Sequence, residues 1–147
     1  MEVKSSDFDY ESYNEFNRLY ENGNNLVASE SFDAAIQSFK KAYSLIPEPK
    51  KEWEESTWVL TAIGETYFFT EDYKNALDPL LDAINCPEGL GNQLLHFRLG
   101  QVYYELGSLN DAAENLMRAY MGAGIDIFDD EDNKYLDFLK TKAKNII

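Results

Sequence analysis

With 13 basic against 27 acidic side chains in 147 residues, the chain carries a formal net charge of −14, which repels phosphate and argues against binding to nucleic acid or an anionic membrane. Its 44% hydrophobic and 14% aromatic content places it outside intrinsic disorder, and its length suits one domain spanning residues 1–147. One cysteine (Cys86) and one histidine (His96) allow no intramolecular disulfide and too few ligands for a structural zinc. No basic start leads into an apolar run and no window is long enough to span a bilayer, so a cytoplasmic protein is expected.

Helical spacing dominates the chain, and strand signals are weak. A first helix is expected from about Asp7 to Ala28. A second runs from Phe32 to Ile46, where Phe32, Ala35, Ile36, Phe39, Ala42, Tyr43 and Ile46 draw one apolar stripe, and Pro47 stops it. Pro49 fits the first turn of a third helix, which reaches about Phe69. A fourth spans Tyr73 to Asn85 and ends at Cys86-Pro87, followed by a loop over residues 88–92. Helices then follow from Gln93 to Leu106 and from Leu109 to Tyr120, with Gly122-Ala123-Gly124 as terminator. The last, about Glu131 to Ile146, opens behind Asp129 and Asp130 and closes among Lys140, Lys142 and Lys144, charges that suit both ends of its dipole.

Three blocks fall into register. Leu19, Asn22, Gly23 and Leu26 precede Ala35, Phe39, Ala42 and Pro47; Leu60, Ile63, Gly64 and Tyr67 precede Ala76, Leu80, Ala83 and Pro87; His96, Leu99, Gly100 and Tyr103 precede Ala112, Leu116 and Ala119. This pattern resembles the tetratricopeptide repeat (TPR) family, in which the glycine leaves room for the paired helix and the alanines admit the next repeat. Ala35 and Ala76 are 41 residues apart, and Ala76 and Ala112 are 36 apart, against a family repeat of about 34. The first excess is expected at Lys50 to Ser56, near two helical turns, and the second in the loop at residues 88–92. Leu19, Leu60 and His96 stand where the family has tryptophan, and Asn22 replaces a leucine. The resemblance implies an all-α, right-handed superhelix of three helix-turn-helix repeats, about 16–47, 50–88 and 93–124, with a C-terminal capping helix at about 131–146.

Candidate catalytic and metal sites have simpler structural readings. His96 takes the position of a packed ring, and Cys86 behaves as a small hydrophobe at a helix end. The run from Asp126 to Asp132 fails as a calcium loop because Phe128 and Glu131 occupy the third and sixth places. Gly89-Leu90-Gly91 lacks the strand and the Lys-Ser or Lys-Thr of a phosphate loop, and pairs such as Glu54-Glu55 have no acid–base partners. No enzyme, no metal and no cofactor is expected.

Binding is the remaining reading. In TPR proteins the first helix of each pair lines a concave face that holds peptides or partner proteins. The resemblance carries this role to Asn17, Tyr20, Asn24 and Val27; to Trp58, Thr61, Glu65, Phe68 and Phe69; and to Leu94, Phe97, Arg98, Gln101, Tyr104 and Glu105. Phe68 and Phe69 point about 100° apart, so both do not easily face one core. The chaperone-tail clamp of one TPR branch is not expected: only Asn24 and Arg98 match, whereas Tyr20, Ala62 and Leu94 replace the other polar positions. The last fourteen residues carry Lys134, Lys140, Lys142 and Lys144 against Asp137, a net +3, so the repeat body carries −17 and suits a basic protein partner. The stretch from Leu94 to Lys140 resembles small bacterial TPR proteins encoded beside polymorphic toxins. That resemblance implies an immunity or inhibitor protein whose one partner is a toxin domain such as a basic nuclease; the alternative is a general scaffold or peptide-binding adaptor.

Overall fold

A computed structural model describes residues 8–143 of the chain. The described residues form helices α1 (Tyr10–Ala28), α2 (Phe32–Ser44), α3 (Glu54–Phe69), α4 (Tyr73–Ile84), α5 (Gln93–Glu105), α6 (Leu109–Ala123) and α7 (Asn133–Lys142), with no strand among them. Asp7 as the start of the first helix, and the expected end of the last helix through Lys144 to Ile146, lie outside the described residues. Contacts group the chain into two compact units, the first ending at Leu90 and the second beginning at Gly91. The pairs α1–α2 and α3–α4 belong to the first, and the pair α5–α6 with α7 to the second.

The same close contact builds each pair. A Cβ placed on Gly23 would lie 2.4 Å from the Phe39 ring, on Gly64 2.5 Å from Leu80, and on Gly100 2.6 Å from Leu116. No side chain fits there, so the glycine in register lets its partner helix seat a large residue against bare backbone. Ala35, Ala76 and Ala112, four residues before those large residues, are fully buried. Asn22, the departure from the leucine pattern, hydrogen-bonds through its amide to Ser38 Oγ at 3.1 Å, and Ser38 in turn donates to the Leu19 carbonyl at 2.7 Å. A polar bridge between α1 and α2 thus replaces an apolar contact.

The turns inside the pairs repeat as well. Glu30, Glu71 and Gly107 each adopt the left-handed conformation, with φ of 61°, 62° and 84°. Just beyond them Ser31, Asp72 and Ser108 donate backbone N–H to the carbonyls of Leu26, Tyr67 and Tyr103, closing the helix end in the same way three times.

Several boundaries differ from expectation: α1 opens at Tyr10 behind an Asp9 cap rather than at about Asp7, and α2 stops at Ser44, short of Ile46 and Pro47. Pro49 does not open α3: residues Lys50–Glu52 form one turn of 3-10 helix, Trp53 is extended, and α3 begins at Glu54. The inserted segment has work of its own, since Trp53 is buried with Phe8 edge-on at 5.1 Å and Lys50 Nζ donates to the Tyr43 carbonyl in the last turn of α2 and to the Ile46 carbonyl just beyond it. Helix α6 runs past Tyr120 to Ala123 and stops at Gly124, whose φ is 84°; Gly122 is still helical, and a Cβ on it would lie 2.5 Å from the Gln93 side chain. The last helix does not open behind Asp129 and Asp130. Burial of Phe128 holds residues Ile125–Phe128 as a 3-10 turn, and α7 starts at Asn133 with the Asp132 carboxylate accepting the Lys134 N–H at 3.0 Å.

Candidate functional site

In the first unit, α1 presents Tyr20 and Asn24 one turn apart, and α3 presents Trp58, Thr61 and Glu65 along one stripe. The structure brings these together. Tyr20 stacks on Phe16 with ring centroids 5.8 Å apart and meets the Trp58 ring at 6.3 Å. Burial pushes the Tyr20 phenol above its ordinary range; a hydrogen bond with Asn24 opposes this, and the negative charge of Glu65 adds to it. Trp58 remains 40% exposed, Asn17 and Asn24 are exposed, and Tyr20, Thr61 and Glu65 are half-buried. Val27 packs on the core of the unit. Phe68 and Phe69 belong to a separate cluster at the helix ends, where Phe69 lies 6.2 Å from Phe32 and Phe68 lies 5.7 Å from Tyr73.

Charge divides this unit by helix. Helices α1 and α3 carry six glutamates (Glu11, Glu15, Glu21, Glu54, Glu55, Glu65) and one arginine. That arginine, Arg18, is taken by Glu15 through a pair of bonds at 2.9 and 2.5 Å, so the Glu15 carboxyl is held below its usual range, chiefly by that hydrogen bond. Helices α2 and α4 balance Lys40, Lys41 and Lys74 against Asp33, Asp78 and Asp82. Among the four helices of this unit, the excess of negative charge therefore sits on those that carry Tyr20 and Trp58.

The second unit treats the corresponding positions differently. Leu94 is 67% exposed, but Phe97 is buried edge-on against Phe128 at 4.9 Å. Gln101, wholly buried, accepts a bond from Arg98 at 2.8 Å and donates to Glu131 at 2.7 Å; Arg98 and Glu131 also form an ion pair at 3.7 Å. Glu105 accepts from the Tyr135 hydroxyl at 2.6 Å and pairs with Lys134 at 2.6 Å, whose ammonium also lies over the Tyr104 and Tyr135 rings. Apart from Leu94, the residues of this unit expected to face a partner thus already hold the chain's own segment 128–138. Sequence spacing placed them on a common face and gave no sign of what covers that face.

Neither singular residue is set up for catalysis. The Gly91 N–H donates to His96 Nε2 at 3.0 Å, so the ring proton sits on Nδ1, which bonds Asn115 Oδ1 at 2.9 Å. Both nitrogens are engaged in holding a loop to a helix. Cys86 is a buried thiol, pushed up by burial and then by the charge of Asp82, the opposite of an activated nucleophile. It lines an open cavity of about 620 Å³ with Tyr43, Lys51, Glu52, Leu60, Asp82 and Asn85. A smaller one of about 290 Å³ shares Tyr43, Leu60 and Asp82 with it. Among the described residues no group of three or more His, Cys, Asp or Glu is placed to hold a metal ion, and no helix is long and apolar enough to cross a membrane.

A tetratricopeptide repeat model matches residues 95–121, the pair α5–α6. No curated protein matches the chain. The all-helical fold, with glycines in the same register in all three pairs, is that of a TPR-like helical repeat, and repeats of this kind generally bind other proteins.

Proposed function

We propose that this chain is a non-catalytic, cytoplasmic protein-binding module that captures one basic protein on the α1–α3 face, and that its role is that of an immunity or inhibitor protein neutralising a toxin domain. The observation that carries the reading is the coincidence on α1 and α3 of the helices' excess acid with exposed or half-exposed Trp58, Tyr20, Asn24, Thr61 and Glu65. A field of that sign speeds encounter with a cationic surface, and exposed aromatic rings supply the anchoring area. Val27, Phe68 and Phe69 flank this face, and Leu94 supplies a separate exposed contact on the second unit. Phe97, Arg98, Gln101, Tyr104 and Glu105 serve a partner only through the segment that they hold. The toxin class rests on the resemblance of Leu94 to Lys140 to proteins encoded beside toxin genes, and a basic nuclease domain fits the charge.

A second reading, a general peptide-binding adaptor, is favoured by the cavities on the other side of the first unit, where Tyr43 and Leu60 floor a groove whose flanking helices α2 and α4 are electrically balanced. Salt separates the two. Co-purification with a toxin domain encoded by a neighbouring gene, at low and at high ionic strength, should give a complex that weakens as salt rises. Binding of extended peptides with no salt dependence would support the adaptor instead, and no complex at either salt removes the immunity role.

A further inference from the structure

Three cavities of the first unit share residues and so form one groove between α2 and α4. Tyr43, Leu60 and Asp82 line both the cavity of about 620 Å³ and that of about 290 Å³, and Tyr67 lines the latter together with a third of about 420 Å³ beside Asp33. Along α2 the groove reaches from Asp33 to Tyr43, roughly 15 Å of helix, which is the length of about four to five residues of extended chain. Leu60, Ile63 and Tyr67 of α3 form its floor at helical spacing.

The two walls carry opposite kinds of group. From α2 come Tyr43 and Lys40, a phenol and an ammonium that donate, the ammonium lying over the Tyr67 ring at 5.8 Å. From α4 come Asp78 and Asp82, carboxylates that only accept. Pro79 adds a further acceptor. It stands inside α4 without an N–H, so the Asn75 carbonyl lacks its helical donor four residues on, and both residues line the smaller cavity. Burial, and then the neighbouring Cys86, Asp82 and Glu48, push the Tyr43 phenol above its ordinary range, which keeps it a donor. Positive and negative walls largely offset each other for a charged ligand, and Lys51 and Glu52 repeat that balance at the mouth. What the walls complement is a main chain. In an extended segment every second residue turns its N–H and C=O to the same edge, at a repeat of about 6.6–6.8 Å, and Asp82 follows Asp78 by about 6 Å along α4. We infer that this groove receives an extended, uncharged, apolar segment of a partner protein, with its N–H groups on Asp78, Asp82 and the Asn75 carbonyl, its C=O groups on Tyr43 and Lys40, and alternate side chains on Leu60 and Ile63. The inference rests on the adaptor reading of the groove and supplies its ligand; the α1–α3 face does not enter it.

The test uses the full chain with a short acetylated and amidated peptide of alternating Ser and Val, followed through the backbone N–H resonances of the protein. The expected result is a saturable shift at Ile63, Tyr67, Asn75 and Asp78, with an affinity that changes by less than about twofold between low and high salt. N-methylation of the peptide amides should weaken binding about tenfold or more, and Asp78→Ala and Tyr43→Phe about threefold to tenfold each. Asp137→Ala, which removes an equal charge from an exposed position of α7, should leave the affinity within about twofold. If the N-methylated peptide binds as tightly as the unmodified one, or if binding appears only when Lys replaces Ser, recognition of the main chain is overturned. If the peptide binds but its shifts lie elsewhere and Asp78→Ala weakens it no more than Asp137→Ala, the groove is overturned while a peptide-binding adaptor stands. If neither the Ser nor the Lys peptide binds anywhere on the chain, the adaptor reading falls with it. Circular dichroism of each variant separates loss of binding from loss of fold.

Discussion

Asn24 and Gln101 each stand one residue beyond a glycine that seats a partner helix, yet Asn24 is exposed and Gln101 has no accessible surface. Tyr20 and Phe97, three residues before those glycines, divide the same way: Tyr20 is half-buried beside an exposed tryptophan, and Phe97 is sealed by Phe128. Helical register fixes the direction of a side chain. Whether that side chain is available to a partner depends on what the chain folds over it, and in the second unit residues 128–138 do so through Glu131, Lys134 and Tyr135. Equivalent positions of a helical repeat therefore differ in surroundings, one set left partly exposed and the other spent on closing the unit.

The sharpest way to break this contrast is to empty the seal. Leu139 is completely buried in the cluster of Phe97, Leu116, Phe128 and Tyr135, so Leu139→Ala should cost about 2–5 kcal/mol in urea unfolding. Trp58→Ala on the open face should cost under about 1 kcal/mol. Equal losses would mean that the open face is as structural as the closed one. The next effect concerns the polar clasp: Glu131→Ala strands the buried Gln101 amide, for an expected loss of about 1–3 kcal/mol, whereas Asn24→Ala at the same register should cost about 0.5 kcal/mol or less. A Glu131→Ala variant as stable as the parent would show that Gln101 is not held by that carboxylate.

Much of the framework was legible because it is periodic. The glycines, the alanines and the apolar stripe of α2 recur at fixed offsets, and each recurrence corresponds to a contact that tolerates one size of residue, as Gly64 against Leu80 does. What escaped was set by single long-range contacts that have no period. Trp53 drawn into the core displaces the start of α3 from Pro49 to Glu54, and Phe128 drawn into the core delays α7 to Asn133. At the candidate site, spacing grouped Tyr20, Asn24, Trp58 and Glu65 on one face. The separate placement of Phe68 and Phe69 depends on Phe32 and Tyr73, which lie on other helices. The coverage of α5 could have been suspected only from the aromatic and lysine content of Lys134-Tyr135 and Phe138, residues whose partners no local pattern names.

Titration sharpens the contrast without altering the fold. Tyr20 is raised above its ordinary value of 10.0 by burial and by Glu65. Below that value the phenol is protonated both folded and unfolded, and stability is at its full level. As pH rises from there the unfolded phenol ionises first, so stability falls through the window up to the folded pKa. Absorbance of tyrosinate should show late ionisation that is reduced by Tyr20→Phe. In Glu65→Gln the Tyr20 phenol should ionise at lower pH than in the parent. An unchanged titration curve in both variants would show that Glu65 does not act on Tyr20.

The smallest expected effect compares the turns of the two units. Glu30 and Glu71 in the first unit occupy the left-handed conformation that Gly107 occupies in the second, and a residue with a Cβ pays about 1–2 kcal/mol for it. Glycine relieves that strain but loses more freedom on folding, which returns roughly 0.5–1 kcal/mol. Glu71→Gly should therefore stabilise the protein by a few tenths to about 1 kcal/mol, raising the melting temperature by a few degrees at most. The reciprocal change is cleaner, because a Cβ on Gly107 would meet nothing within 4 Å and any cost is conformational alone. Gly107→Ala should lower stability by about 1 kcal/mol. Opposite signs for these two substitutions identify the turn as the source, since no packing contact distinguishes alanine from glycine at that position; a stabilised Gly107→Ala would show that the left-handed turn is not what closes α5.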